Sequence, residues 1–392
     1  MHQKVYLDNS ATTPIDSRVI DEMMPFLTEK YGNASSIHGF GQDVRGAVDR
    51  ARHFVADILC AKPGQITFTS GGTEANNLAI RGFCEENVAY GRHVITSEIE
   101  HPSVANVFDE LETRGFLVTR LPVYADGIVR TEDLKNAVCD DTILVSIMTA
   151  NNEIGTIQPV REIGAIVQTI RESGKRIRFH TDAVQAVGKI PVNVDEFGCD
   201  LLSFSGHKIY APKGIGALYI RRGVRIKPQN LGGHQERERR GGTENVPNIV
   251  AFGKACELMF EESVSMQARL RTIRDEFEKR VVANIPFVEI NGAREMRLPN
   301  ISNISFEGVD GEGLLINLDM HGIAVSTGSA CSSGSLDPSP VILALGRSPA
   351  EARSAVRFSF GKENSIEELD YVLPLLQAAV ENLRKINTNL HV

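Results

Sequence analysis

The chain reads as an α/β protein built on a mostly parallel sheet with helices on both faces. Three observations carry that reading. Short apolar runs of strand character recur between residues 66 and 220, helical stretches lie between several of them, and the texture changes after about residue 256. Strands that alternate with helices favour a parallel sheet, because a parallel connection needs a crossover long enough to hold a helix.

The strand candidates, in order, are ITFT at 66, HVITS at 93, ILVSIM at 143, RIRFHTDA at 176, LLSFS at 201 and GALYI at 216. NLAIRGFCEE, VANVFDELETRG and EIGAIVQTIRESG are the helices between them. From about 256 come a long amphipathic helix, CELMFEESVSMQARLRTIRDEFEKRVVANI, then short strands and a helical C-terminus from Ser365. A length of 392 residues exceeds what one core usually holds, so two units are expected. The expected division is a large unit over 15–255 and a smaller one from 1–14 with 256–392. STGSACSSGS at 326–335 is too rich in Gly and Ser for regular structure and is expected to be a mobile loop of the smaller unit.

Composition narrows the function classes. The net charge of −8 gives no electrostatic reason to expect nucleic acid or an anionic membrane as partner, so a small molecule or another protein is expected. No apolar run approaches the roughly 20 residues that span a bilayer, and MHQKVYLDNSATTP has no signal-peptide pattern; a cytoplasmic location is the default expectation. The cysteines are scattered without a CxxC pair, so neither a metal site nor a disulfide framework is indicated. Cys60, Cys84, Cys139, Cys199 and Cys256 are expected to be mostly buried thiols.

Nearly every strand candidate is followed at once by polar residues that a turn alone does not require. Ligands of open parallel sheets bind at the carboxyl ends of strands, so these residues should converge on one crevice. SGGTEANN follows ITFT, with Gly71 and Gly72 allowing a tight turn and Thr73 opening a helix whose free N–H groups suit a phosphate. Glu100 and His101 follow HVITS, and Asn152 follows ILVSIM. Asp182 ends the next run with Gln185 three residues on, and Ser205, His207 and Lys208 follow LLSF. Singly, each has a plainer explanation as a helix cap or a satisfied polar residue. Together they supply what pyridoxal 5'-phosphate (PLP) demands: an amine to bond its aldehyde, a carboxylate for its ring nitrogen and anion-binding groups for its phosphate. Lys208, Asp182, and Thr73 with Ser205 and His207 fill those roles, and His101 is the candidate ring to stack on the cofactor and move protons.

These segments, with YLDNSATTP at 6–14, EHPSV at 100–104, NNEIG at 151–155, RGGTENVP at 240–247 and RFSFG at 357–361, make the chain resemble the cysteine desulfurases of the NifS/IscS type. That group belongs to the class V aminotransferases, on the PLP fold type I (aspartate aminotransferase-like) scaffold. The resemblance implies that Lys208 bears PLP, Asp182 pairs with its ring nitrogen and Gln185 bonds its phenolic oxygen. It gives Thr73, Ser205 and His207 to the phosphate, with Thr243 reaching across from the partner subunit of a homodimer. It assigns Asn152 and Arg357 to the substrate carboxylate and Cys331 to the sulfur of L-cysteine. A Gly/Ser tether suits a thiol that must reach the pocket and then an acceptor.

The implied activity is L-cysteine to L-alanine, with a persulfide on Cys331 supplying sulfur for iron-sulfur clusters, other thio-cofactors or thiolated tRNA. The implied partner is a sulfur-acceptor protein, either an iron-sulfur scaffold or a sulfur relay. A selenocysteine lyase or another PLP β-eliminating lyase is the alternative, since it shares everything except a strict need for Cys331. Ala34, Ala211 and His234 stand where the family commonly has proline, glycine and glycine, and none removes a chemical group. The chain stops about one helix past RFSFG, without the longer tail of some IscS proteins, so pairing with a scaffold is less firmly implied than the chemistry.

Overall fold

The computed structural model describes residues 3–328 and 337–390. A seven-stranded sheet forms the centre, in the spatial order Ile66–Thr69, Gly216–Ile220, Leu201–Ser205, Arg178–Asp182, Thr142–Ser146, His93–Ser97 and Leu117–Leu121. Every residue of His93–Ser97, Thr142–Ser146, Leu201–Ser205 and Gly216–Ile220 is buried, as required of strands covered on both faces. The α/β expectation holds, with two refinements.

Gly216–Ile220 runs antiparallel to both of its neighbours. Only residues 206–215 join it to Leu201–Ser205, which is shorter than a parallel crossover needs. The second refinement is Leu117–Leu121, an edge strand parallel to His93–Ser97 that is not among the strands expected from the sequence. Its residues are mostly half-exposed and its LVTRL sequence lacks an apolar run, so neither burial nor alternation marks it.

The long helix also starts earlier than its amphipathic pattern indicates. It spans Val246–Asn284, with a proline in its first turn. Its first ten residues sit against the large sheet, where Phe252 packs on Phe68 and Phe204 with ring centroids 6.5 and 5.0 Å apart. A segment buried on most sides shows no stripe, which hides its helical period. Beyond it, Val288–Ile290, Ile301–Phe306, Ala355–Ser359 and Ser326–Thr327 form a small antiparallel sheet, and Val5–Tyr6 pairs in parallel with Ile323–Ala324. We propose the division into 15–255 and 1–14 with 256–392 on that basis: the N-terminal strand joins the later residues and not the large sheet.

The expectation of buried cysteines fails at two positions. Cys84, Cys199 and Cys256 are buried, but Cys60 and Cys139 are exposed. Cys60 occupies a turn with φ of 54° after the helix Gly39–Asp57, and Cys139 lies in the connection between Thr131–Ala137 and Thr142–Ser146. Position in a connection overrides residue type there. The Cys139 Sγ lies 3.3 Å from His93 Nδ1.

Candidate active site

The polar residues at the strand ends do converge. Thr73, His101, Asn152, Asp182, Gln185, Ser205, His207, Lys208 and Arg357 line one cavity of about 350 Å³, together with Ser10, Ala11 and Gly328. Asp182 and Ser205 are the last residues of their strands, and His207 and Lys208 sit in the short 3-10 turn Gly206–Lys208 that follows. Thr243 is exposed and does not line the cavity of its own chain. Cys331 lies outside the described residues.

Lys208 Nζ donates to the backbone carbonyls of Ser10 (2.5 Å) and Ala11 (2.6 Å), so the N-terminal YLDNSATTP segment positions the amine. Asp182 is held at both oxygens: Oδ1 accepts from the Val184 backbone N–H at 2.8 Å and Oδ2 from Asn76 Nδ2 at 2.7 Å. Asn76, fully buried on the helix Gly72–Asn87, also donates to Ser103 Oγ at 2.9 Å. Ser103 Oγ in turn lies 2.8 Å from His101 Nδ1, which also accepts the Ser103 backbone N–H at 3.1 Å. His101 is thereby the N-cap of the helix Pro102–Thr113. With Nδ1 accepting, the ring proton of neutral His101 resides on Nε2. Burial pushes the His101 pKa below its usual value; Asp182 opposes the shift and Lys208 adds to it.

Asn76 and Ser103 therefore tie the carboxylate to the imidazole, and neither was singled out from the sequence. Their signal was present, three and two residues after Thr73 and His101, but a buried asparagine reads as structural until its partners are known. Replacing Asn76 by leucine leaves Asp182 Oδ2 and Ser103 Oγ without their amide donor. We expect this to lower the stability of cofactor-free protein by about 1–3 kcal/mol, read as a lower urea midpoint at an unchanged slope.

The end of the cavity near the start of the helix Gly72–Asn87 is built from backbone and hydroxyls. Gly71 has a φ of 155° at the cap of the helix Gly72–Asn87, and a Cβ on Gly216 would lie 2.7 Å from Gly71 Cα, so two glycines let the reversed strand approach the helix start. Ser205 is buried beside this turn. His207 packs with Nδ1 3.2 Å from Thr12 Oγ1; burial, helped by Lys208, Lys213 and Lys189, lowers its pKa to about 4. A neutral His207 offers a hydrogen-bond donor without adding charge.

Arg357 is 3% exposed and donates to Asp8 Oδ1 at 2.8 Å and to the Asn152 carbonyl at 2.9 Å. Among the described residues, no partner is hydrogen-bonded to its buried Nε or to the buried hydroxyl of Ser10. An arginine that lines a cavity and is already fixed by one carboxylate suits a second, ligand carboxylate.

Glu153, the acid of NNEIG, has no role that the sequence alone predicts. Its Oε2 accepts from Ser339 Oγ at 2.6 Å and lies where a Cβ on Gly328 would fall. One buried carboxyl thus meets the chain on both sides of the segment that contains Cys331. Burial raises its pKa to about 7 against the opposing effects of Ser339 and Arg357.

This fold and this set of residues define a class. A family model of class V aminotransferases matches residues 5–372, and the chain belongs to that family, whose members depend on PLP. Within it, the chain is 50% identical over 387 residues to the cysteine desulfurase IscS of Dictyoglomus turgidum, covering 99% of this chain and 97% of that one. It is 47% identical over 386 residues to the IscS of Methanosarcina thermophila, covering 98% and 94%. Among solved structures it resembles a NifS-like protein with a TM-score of 0.90 and 39% identity, over 97% of this chain and 99% of the other. It also resembles SspA in complex with cysteine, with a TM-score of 0.81 and 36% identity over 91% and 99%.

Proposed function

We propose that the chain is a PLP-dependent cysteine desulfurase that converts L-cysteine to L-alanine and passes the sulfur as a persulfide to Cys331. The observation that carries this reading is the meeting of the Lys208 amine, the doubly held Asp182 carboxylate and the buried Arg357 guanidinium in one cavity. The donors suit the cofactor group by group: Lys208 for the aldehyde, Asp182 for the ring nitrogen and Gln185 for the phenolic oxygen. Thr73, Ser205 and His207 at a helix start serve the phosphate. When bound there, PLP withdraws electrons from the substrate carbons and makes their C–H and C–S bonds labile.

The remaining roles belong to the chain itself. Arg357 and the Asn152 side chain orient the substrate by its carboxylate, while Asp8 keeps the guanidinium from swinging away. Lys208 moves the proton at the substrate Cα, and His101 presents its Nε2 to the substrate. The Cys331 thiolate attacks the substrate sulfur, the S–S bond forms as the Cβ–S bond breaks, and the bonding pair stays with carbon. Net, cysteine and an enzyme thiol become alanine and an enzyme persulfide. A sulfur-acceptor protein, an iron-sulfur scaffold or a relay, would then take the sulfur.

Purified protein should be yellow and should release alanine from L-cysteine. Borohydride reduction followed by peptide mapping should place the pyridoxyl group on Lys208. A label elsewhere, or no alanine, ends this reading.

The homodimer belongs to the same proposal. Thr243 is exposed on its own chain, and Tyr31 and Phe40, with rings 5.9 Å apart, and Ile37, 93% exposed, offer apolar surface for a partner copy. Thr243→Ala is expected to weaken PLP retention by about tenfold, the loss of one hydrogen bond to a charged phosphate. Equilibrium dialysis reads the change, and a fully active monomer contradicts the shared site.

A further inference from the structure

Lys189 has no role in the chemistry above, yet it is buried at the edge of the site. It is 6% exposed, and its Nζ donates to Gln185 Oε1 at 2.6 Å from four residues along the chain. Gln185 Nε2 donates to the Ser10 carbonyl at 3.0 Å, on the same backbone oxygen that holds Lys208. An ammonium nitrogen only donates and a carbonyl only accepts, so with Lys189 protonated the amide oxygen faces it and the amide NH2 faces Ser10 and the cavity. Lys189 and Lys208 also border one small void of about 10 Å³ with Asn9 and Thr13, room for a single water.

A buried lysine that meets an amide and, among the described residues, no carboxylate is a poor device for stability, because desolvation of its charge is not repaid by an opposite one. Burial, with the like charges of Lys208 and Arg357, pushes its pKa down to about 7. A methionine would fill the same space at lower cost. We propose that Lys189 is a positioning residue, which fixes the Gln185 amide with its NH2 toward the cavity and places a second buried cationic group beside Lys208. This rests on the reading of Lys208 and Gln185 as cofactor-binding residues. The PLP phenolic oxygen is an acceptor, so only the NH2 end of Gln185 serves it, and a positive neighbour disfavours a proton on the nitrogen that Lys208 shares with the cofactor.

Three variants test it, each purified as full-length protein and reconstituted with PLP. Lys189→Met should fold, with a cofactor-free melting temperature equal to or above wild type. It should bind PLP about tenfold more weakly, by loss of one oriented hydrogen bond, and the pH midpoint of its visible band should rise by about one unit. Lys189→Gln keeps a donor without the charge: its PLP affinity should stay within about twofold of wild type while the midpoint still rises. In a Gln185→Leu background, Lys189→Met should cost no further affinity, because its hold on the cofactor runs through that amide. A yellow Lys189→Met protein with wild-type affinity and midpoint overturns the proposal and leaves the Lys208 assignment standing. Should Lys189→Met melt early and Lys189→Gln lose affinity without a midpoint change, Lys189 is structural and the proposal also fails. Wild-type protein that takes up no PLP overturns both.

Discussion

Lys208→Ala is expected to lower alanine formation from cysteine by about 10²–10⁴-fold, the range for removal of a positioned proton-transfer group. That corresponds to roughly 3–5 kcal/mol of transition-state stabilisation. The structure gives two reasons for an effect of this size. Lys208 Nζ is held at 2.5 and 2.6 Å by two backbone carbonyls of residues 10 and 11, which fixes the amine on the cavity wall. It also lines the same cavity as the buried Arg357 guanidinium, the group proposed to orient the substrate. Added methylamine should restore part of the rate if the loss is of an amine and not of the fold. PLP should still enter Lys208→Ala through the phosphate groups and Asp182, and borohydride should no longer fix it to the protein. Turnover within tenfold of wild type would remove Lys208 from the mechanism.

Most of the site was legible because its residues sit where parallel strands end, and a strand end can be read from a short apolar run. Asp182, Ser205, His207 and Lys208 were found that way, and the cavity gathers them. The residues that escaped act through other side chains. Asn76, Ser103, Lys189 and Glu153 each touch a cavity residue, or a chain segment beside one, that is remote in sequence or buried from view. Spacing alone shows Lys189 four residues from Gln185 but not that its amine turns inward. Asp8 is similar, since its pairing with Arg357 spans nearly the whole chain. The edge strand Leu117–Leu121 and the first turns of Val246–Asn284 were missed for opposite reasons, too little burial in one and burial on most sides in the other.

Cys331→Ala is expected to abolish persulfide formation while leaving PLP binding and the Lys208 linkage intact, because neither uses that thiol. Gly328 lines the cavity and lies three residues before Cys331. Covalent connectivity alone limits the Cα of residue 331 to about 11 Å from the Cα of Gly328. On its other side the described fold resumes at residue 337, and two residues on the Ser339 hydroxyl donates to the buried Glu153. A Cβ at residue 328 would lie 2.1 Å from Glu153 Oε2, so any other residue at that position would have to displace the buried carboxyl. After a single turnover with sulfur-labelled cysteine, wild-type protein should carry label on Cys331 that a reductant removes. Cys331→Ala should carry none, and it should release no alanine above the enzyme-free blank. Cys60 and Cys139 are the exposed thiols that compete as acceptors among the described residues. Label on either of them in place of Cys331, or alanine released by Cys331→Ala at the wild-type rate, would leave a PLP lyase on this fold and would remove the sulfur-transfer step assigned to the loop.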